Sequence, residues 1–408
     1  MNSGPPLQPS LFRLGDFRCL GASVLLNSVG MMGELVVLGW LTLELTSSPF
    51  MVGVAMGARS LPLFFVGVPA GVLADRLPRH RLLMATSAGQ AVTAGTLGIL
   101  TLLGVVTVPH VLLLTFVAGV IRGVEHAARQ SYAHDAVGAT ELMNGLAVLG
   151  VAMRGGWLLG SLGSGAVIAH LGSGAAYLAV AASFLVGAAA LLPASAPAAT
   201  SLSAPGSVWQ SLAGFVTAMR SDPVLPVLMM LTAAAEIFGF SHQVLLPSLA
   251  RDVLHAGPEG LGALNAARSV GGILGLSAVS ARGAGHGGAG ILFLAVLGSF
   301  GASLVGLGLA PGLVGFAGVL VVVIVVNAIG ALADLLAQGL MQLSVPAELR
   351  GRAGGAWVVA IGLAPLGQLQ IGALASLFGV AVALGASGLG LVALAGTSAL
   401  VFVRLRKL

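Results

Sequence analysis

An all-α membrane protein of twelve transmembrane helices, arranged as two pseudo-symmetric six-helix bundles, is the fold class predicted here, and three observations predict it. The chain is 57% hydrophobic and only 8% charged, with a mean hydropathy of +1.04, more apolar sequence than a water-soluble core can use. The apolar residues fall into runs of about 20 residues, the length that crosses a hydrocarbon core. Finally, a pattern in the first half of the chain recurs in the second.

The runs, numbered here as spans 1 to 12, are 19–43, 50–73, 82–105, 109–128, 142–168, 174–193, 224–247, 260–281, 289–309, 312–341, 353–376 and 380–403. They are too long and too little alternating for barrel strands. In lipid each backbone polar group must be satisfied within its own segment, so the spans are helices. With the N-terminus inside, thirteen of the 18 basic residues fall on cytoplasmic segments: Arg13, Arg18, Arg76, Arg79, Arg81, Arg129, Arg220, Arg282, Arg350, Arg352, Arg404, Arg406 and Lys407. Only Arg251 lands in an outer loop. The pI near 10.6 is then the positive-inside bias and requires no nucleic acid. This orientation implies a multi-pass protein of the cell (inner) membrane with both termini cytoplasmic.

The repeat divides the chain. Pro49-x3-Gly53-x4-Ala58-Arg59-Ser60 recurs as Pro258-x3-Gly262-x4-Ala267-Arg268-Ser269, an offset of 209. Glu141-Leu142, Gly160, Gly165 and Gly172 recur as Glu348-Leu349, Gly367, Gly372 and Gly379, an offset of 207. Near-constant offsets imply duplicated bundles in parallel orientation. The expected domains are 1–193 and 223–408, joined by a Pro/Ser/Ala-rich cytoplasmic linker at 194–222. Within it, Ser207 to Arg220 fits a short amphipathic surface helix. Glycine pairs one turn apart, Gly53/Gly57, Gly67/Gly71 and Gly156/Gly160, predict close helix approach. Trp40 and Trp209 are placed as interface anchors.

Several function classes are excluded by what the chain lacks. An ATP-driven pump needs Gly-x4-Gly-Lys-Ser/Thr, and the sole lysine is Lys407. There is no His-Glu-x-x-His and no Gly-x-Ser-x-Gly, so an enzyme is not expected. The single Cys19 permits no internal disulfide or cysteine metal cluster, and no cofactor is expected. Residues 1–18 lack a signal-peptide pattern, so span 1 is expected to act as the insertion signal.

The densest charge lies between spans 2 and 3, in Gly71-Val-Leu-Ala-Asp75-Arg76-Leu-Pro-Arg79-His-Arg81. This stretch resembles the charged loop between helices 2 and 3 of the major facilitator superfamily, with Pro78 and His80 replacing a Gly and an Arg. Phe17-Arg18, Ala127-Ala-Arg129-Gln130 and Val345-Pro-Ala-Glu348-Leu-Arg350-Gly-Arg352 resemble its exporter branch, related to enterobactin exporters and Tap-like multidrug efflux pumps. The resemblance spans about residues 11–403. One departure is Gly160-Ser-Leu-Gly163-Ser-Gly165, which lacks the proline of that branch's antiporter motif.

The resemblance implies that spans 1, 4, 7 and 10 line a central path. Each carries an acid: Glu34, Glu125, Glu236 and Asp334. A charge in a span costs about 2.5–3.5 kcal/mol on insertion scales and therefore requires a partner, a cavity or a role. At about 1.5 Å per residue, Glu34 and Glu236 lie near mid-membrane and are the proton-coupling candidates. Glu125 and Asp334 lie nearer the cytoplasm and join Asp75, Arg76, Arg79 and Arg81 in an expected inner gate. The intramembrane charge partners are Arg59, Arg154, Arg268 and Arg122, the last able to neutralise Glu125 at i,i+3. His126 and His242 are expected at helix ends or the surface, and Phe64, Phe238 and Phe240 in helix packing.

The expected function is a proton-coupled exporter (antiporter) of small amphiphilic compounds such as drugs or siderophores, working by alternating access. A gradient-independent facilitator or lipid-type transporter of the same fold is the alternative. The partners implied are a small-molecule substrate, protons and the lipid bilayer, with the protein acting as a monomer.

Overall fold

The computed structural model describes residues 14–194, 224–282, 288–344, 357 and 359–406. The linker 194–222 apart from Ala194, the Arg220 helix, Trp209 and the stretch Val345 to Arg352 lie outside the described residues. The same holds for the side chains of Phe64, Asp75, Arg76 and Arg282.

Among the described residues the secondary structure is helical. Nine helices are long and apolar enough to cross a membrane. One of these, Asn144–Ala189, is turned at Gly172, whose φ of 83° breaks the regular helix, so it holds spans 5 and 6. Pro49–Arg76 and Gly257–Arg282 supply spans 2 and 8, and the total is twelve. The run Val108–Ala189 would span about 120 Å if straight. It folds back, because Gln90 in Arg79–Leu102 donates to Ala118 O while Gly98 of the same helix meets Leu178.

Helices overrun their apolar runs, since a helix continues past the hydrocarbon where nothing stops it. Span 1 is Gly15–Thr46, so Arg18 lies on it. The expected loop after span 2 is correspondingly short: Pro49–Arg76 runs through Asp75 and Arg76, and only Leu77 and Pro78 separate it from Arg79. Pro78, φ −56° and ψ 113°, can neither donate a helical N–H nor keep Leu77 helical, so the chain turns there.

The exterior carries residues such as Leu313 (78% exposed), Leu400 (77%) and Val151 (74%), whereas Asn27, Ser28, Glu34 and Asn265 are buried. This is the inside-out partition expected of a chain solvated by lipid.

Two compact units are present, Met1–Val37 with Phe65–Pro205, and Leu38–Phe64 with Gly206–Leu408. In the first, Phe17, Leu20, Leu82, Tyr132 and Leu191 form a core cluster, and His80 Nε2 donates to Leu191 O at 2.9 Å. A Cβ on Gly156 would lie 2.5 Å from Leu25 O, and one on Gly160 2.2 Å from Val29 O, so small residues bring span 5 against span 1. In the second unit Phe300 packs on Phe240 with centroids 5.1 Å apart, and Gly239 leaves no room for a Cβ beside that ring. Leu38–Phe64 is tied into this unit by Arg251 Nη1 to Leu43 O (2.8 Å), Phe50 N to Ser376 Oγ (2.9 Å) and Gln368 Nε2 to Ser60 Oγ (3.3 Å). Gly53 also presses on Gln368 O.

Candidate functional site

Glu34 sits on span 1 with its carboxylate 6% exposed, and Arg122 Nη2 of span 4 donates to Glu34 Oε2 at 2.5 Å. Two charges buried together in apolar helices are favourable only when their mutual attraction and hydrogen bonding offset desolvation. Gly30 and Gly33 lie on the same helix, one facing Ser183 and Phe184, the other Ser164 and Val180. Span 1 is therefore closely packed on either side of the turn that carries Glu34.

One turn beyond Arg122, Glu125 is buried and accepts from Arg129 Nη1 at 3.3 Å. The i,i+3 pairing expected between Arg122 and Glu125 gives way to this i,i+4 pair and to the pair across to Glu34, because the guanidinium of Arg122 reaches span 1. Arg129 Nη2 also lies 3.4 Å from His126 Nδ1, and His126 is exposed. Of the expected gate, Arg79 opens span 3 half-buried and Arg81 is exposed, while the side chains of Asp75 and Arg76 lie outside the described residues.

In the second unit span 7, Val224–Val253, is irregular where its acid sits. Ala235–Gly239 forms a π-helical turn containing Glu236, followed by the 3₁₀ segment Phe240–Leu245. Such breaks in the regular ladder are frequent where a helix carries a functional group. Asp334 accepts from Trp357 Nε1 at 2.9 Å and lies within Coulombic reach of Glu236. Asp334 thus keeps company with Glu236 and Trp357.

His242 is 1% exposed, not a surface or helix-end residue. Its Nδ1 lies 2.8 Å from Gly239 O, which can only accept, so Nδ1 carries the proton and Nε2 faces Asn327 Nδ2 at 3.5 Å. Trp40 is likewise buried at 6% exposure, because its Nε1 finds Glu44 Oε1 one turn away at 2.6 Å. Phe240 packs on Phe300 as expected, and Phe238 lies beside Gly390.

The remaining arginines differ in company. Arg154 stacks over the Trp157 ring at 5.7 Å, a cation–π contact. Arg268 donates to Asn265 Oδ1 at 2.8 Å and Gln243 Oε1 at 2.7 Å. Arg59 is half-buried on span 2 beside Ser60. Sequence reasoning missed the amides Gln243, Asn265, Asn327 and Gln368. The signal was present, since an amide within an apolar run needs a partner just as a charge does.

Comparison with known proteins places this geometry in context. The family model described as transmembrane secretion effector (MFS_3) matches residues 6–408. Among solved structures, a mutant of the nucleoside transporter NupG is similar at a TM-score of 0.80 and 11% identity, over 95% of this chain and 99% of that one. A bacterial homologue of the human lysosomal transporter Spinster, inward-facing and occupied, is similar at a TM-score of 0.73 and 15% identity, over 99% of each chain. Its unoccupied form gives 0.66 at 15% identity, over 96% and 95%. No curated protein matches the chain.

Proposed function

Because the chain belongs to the transmembrane secretion effector family of the major facilitator superfamily, a transporter family, we propose that it is a proton-coupled exporter of small amphiphilic compounds in the cell membrane. The observation that carries this reading is the buried Glu34–Arg122 pair. A buried acid whose arginine partner sits on another helix is a place where relative movement of the two helices can be linked to proton binding. Such movement couples proton entry to the conformational cycle. The family's description as a secretion effector supports the outward direction.

Alternating access requires one end of the path to open as the other closes. In this reading the contacts Arg251 to Leu43, Phe50 to Ser376 and Gln368 to Ser60 hold the outer end and break for release. Glu236 and Asp334 serve as a second acidic position on the path, and Glu125, Arg79 and Arg81 belong to the inner gate with Asp75 and Arg76.

Accumulation of a fluorescent drug in inverted vesicles, with and without an imposed pH gradient, tests this for wild type and Glu34→Gln. Gradient-driven uptake that the substitution abolishes is the expected result. Uptake indifferent to the gradient in the wild type refutes proton coupling and leaves a facilitator.

A further inference from the structure

Arg268 is one of the intramembrane charges that the proton path leaves unused. It lies eleven residues into Gly257–Arg282, about 17 Å along the helix and so near the middle of a hydrocarbon core about 30 Å thick. Arg122 has a carboxylate, whereas Arg268 has two neutral amides, Asn265 Oδ1 and Gln243 Oε1. Its Nε is buried without a hydrogen-bond partner. The titratable neighbour within Coulombic reach is His242, which is neutral or cationic and cannot cancel the charge. A full positive charge therefore stands uncompensated among the described residues.

The geometry suits a ligand better than a structural bond. A guanidinium has five N–H donors in a planar fork; the two amides occupy one on Nη1 and one on Nη2. The Nε edge remains, and Nε–H without a partner is the donor left to hold an oxygen of a carboxylate or phosphate, beside the Nη donors that the amides do not take. Asn265 is itself fixed, its Nδ2 donating to Leu261 O at 3.0 Å, so the fork is held before any ligand arrives. Arg268 and Gln243 are both half-buried. Hydrocarbon does not solvate a guanidinium, so the partly exposed side chain calls for polar company beyond the two amides.

We propose that Arg268, braced by Gln243 and Asn265, binds the oxyanion of the transported molecule, which makes the substrate an amphiphile carrying a carboxylate or phosphate. This rests on the transporter reading above, but its test uses no gradient, so failure of proton coupling leaves the outcome readable.

Equilibrium binding of pyrenebutanoate and of its uncharged amide, pyrenebutanamide, to the purified full chain in detergent measures the preference directly. Wild type is expected to bind the acid at least about ten-fold more tightly, as a charge-assisted paired hydrogen bond supplies. Arg268→Gln should bring the acid down to the level of the amide. Arg268→Lys, which keeps the charge and loses the fork, should retain an intermediate preference. Asn265→Ala, which only loosens the fork, should weaken the acid and spare the amide, and it carries the test if Arg268→Gln fails to fold. Displacement of the acid probe by octanoate, or by an anionic phospholipid but not octanoate, keeps the site and assigns its ligand to a soluble amphiphile or to a lipid headgroup. Equal binding of the two probes by wild type, or equal weakening of both by Arg268→Gln, overturns the proposal.

Discussion

Gly160 of span 5 presses on Val29 of span 1, and Gly367 of span 11 presses on Ile237 of span 7. The two glycines are 207 residues apart and their targets 208, so the repeat read from sequence recurs as one backbone contact made twice. The charges do not recur. At an offset of 208 Glu34 falls on His242; at 209 Glu125 falls on Asp334 and Arg59 on Arg268, whereas Arg122 and Arg129 fall on Ala331 and Gln338. Span 4 carries the two arginines that neutralise Glu34 and Glu125; span 10 carries neither. Glu34 and Glu125 of the first repeat are thus each met by an arginine of the same repeat. Among the described residues the second keeps Arg268 against amides and Asp334 against an indole. Duplication preserved the packing device and let the electrostatics diverge, which is what an asymmetric cargo path requires of a symmetric frame.

The sharpest way to break this comparison is to remove the neutralising arginine. Arg122→Gln leaves Glu34 buried without its cation, and loss of one partner from a buried pair costs about 3–5 kcal/mol. A large fall in melting temperature of the purified protein is expected, largely restored in the double variant with Glu34→Gln, where no charge is stranded. If Arg122→Gln melts like wild type, the first repeat is not held by this pair.

Next in size is the shared backbone contact. Gly160→Ala and Gly367→Ala each place a methyl within 2.2–2.5 Å of backbone atoms, and overpacking of this kind costs about 1–3 kcal/mol. The two should destabilise by similar amounts in thermal melts. Gly163→Ala, three residues along the same helix with nothing within 4 Å of the new methyl, should be neutral or slightly stabilising, as alanine favours helix by about 1 kcal/mol over glycine. Unequal effects at Gly160 and Gly367 would mean that the repeats pack differently.

The fold was legible because hydropathy acts on whole segments, where the errors of single residues average out. Glu34 was legible for a related reason: a carboxylate in an apolar run stands out wherever it lies. Its partner was not, since Arg122 is 88 residues away and several arginines share its depth. His242 was misread because its burial depends on the π and 3₁₀ turns of Val224–Val253, which rotate side chains off the regular helical face without changing hydropathy. Trp40 was misread because an indole defaults to the interface, and only the structure shows Glu44 accepting its N–H. The amide cradle of Arg268 was hidden by the same rule that exposed the acids. Attention went to formal charge, whereas the unusual feature was a charge paired only with neutral groups.

The smallest expected effect is at Asp334, and it separates the repeats most finely. Asp334 accepts one hydrogen bond, from Trp357, and no arginine pairs with it among the described residues. In Asp334→Asn the amide oxygen can accept the same N–H from the same position, so the hydrogen bond survives and no cation is stranded. Net hydrogen bonds contribute only about 0.5–1.5 kcal/mol, and the change expected here lies below that range, with melting close to wild type. A loss as large as that of Arg122→Gln would reveal a cation bound to Asp334, and the second repeat would then be neutralised as fully as the first.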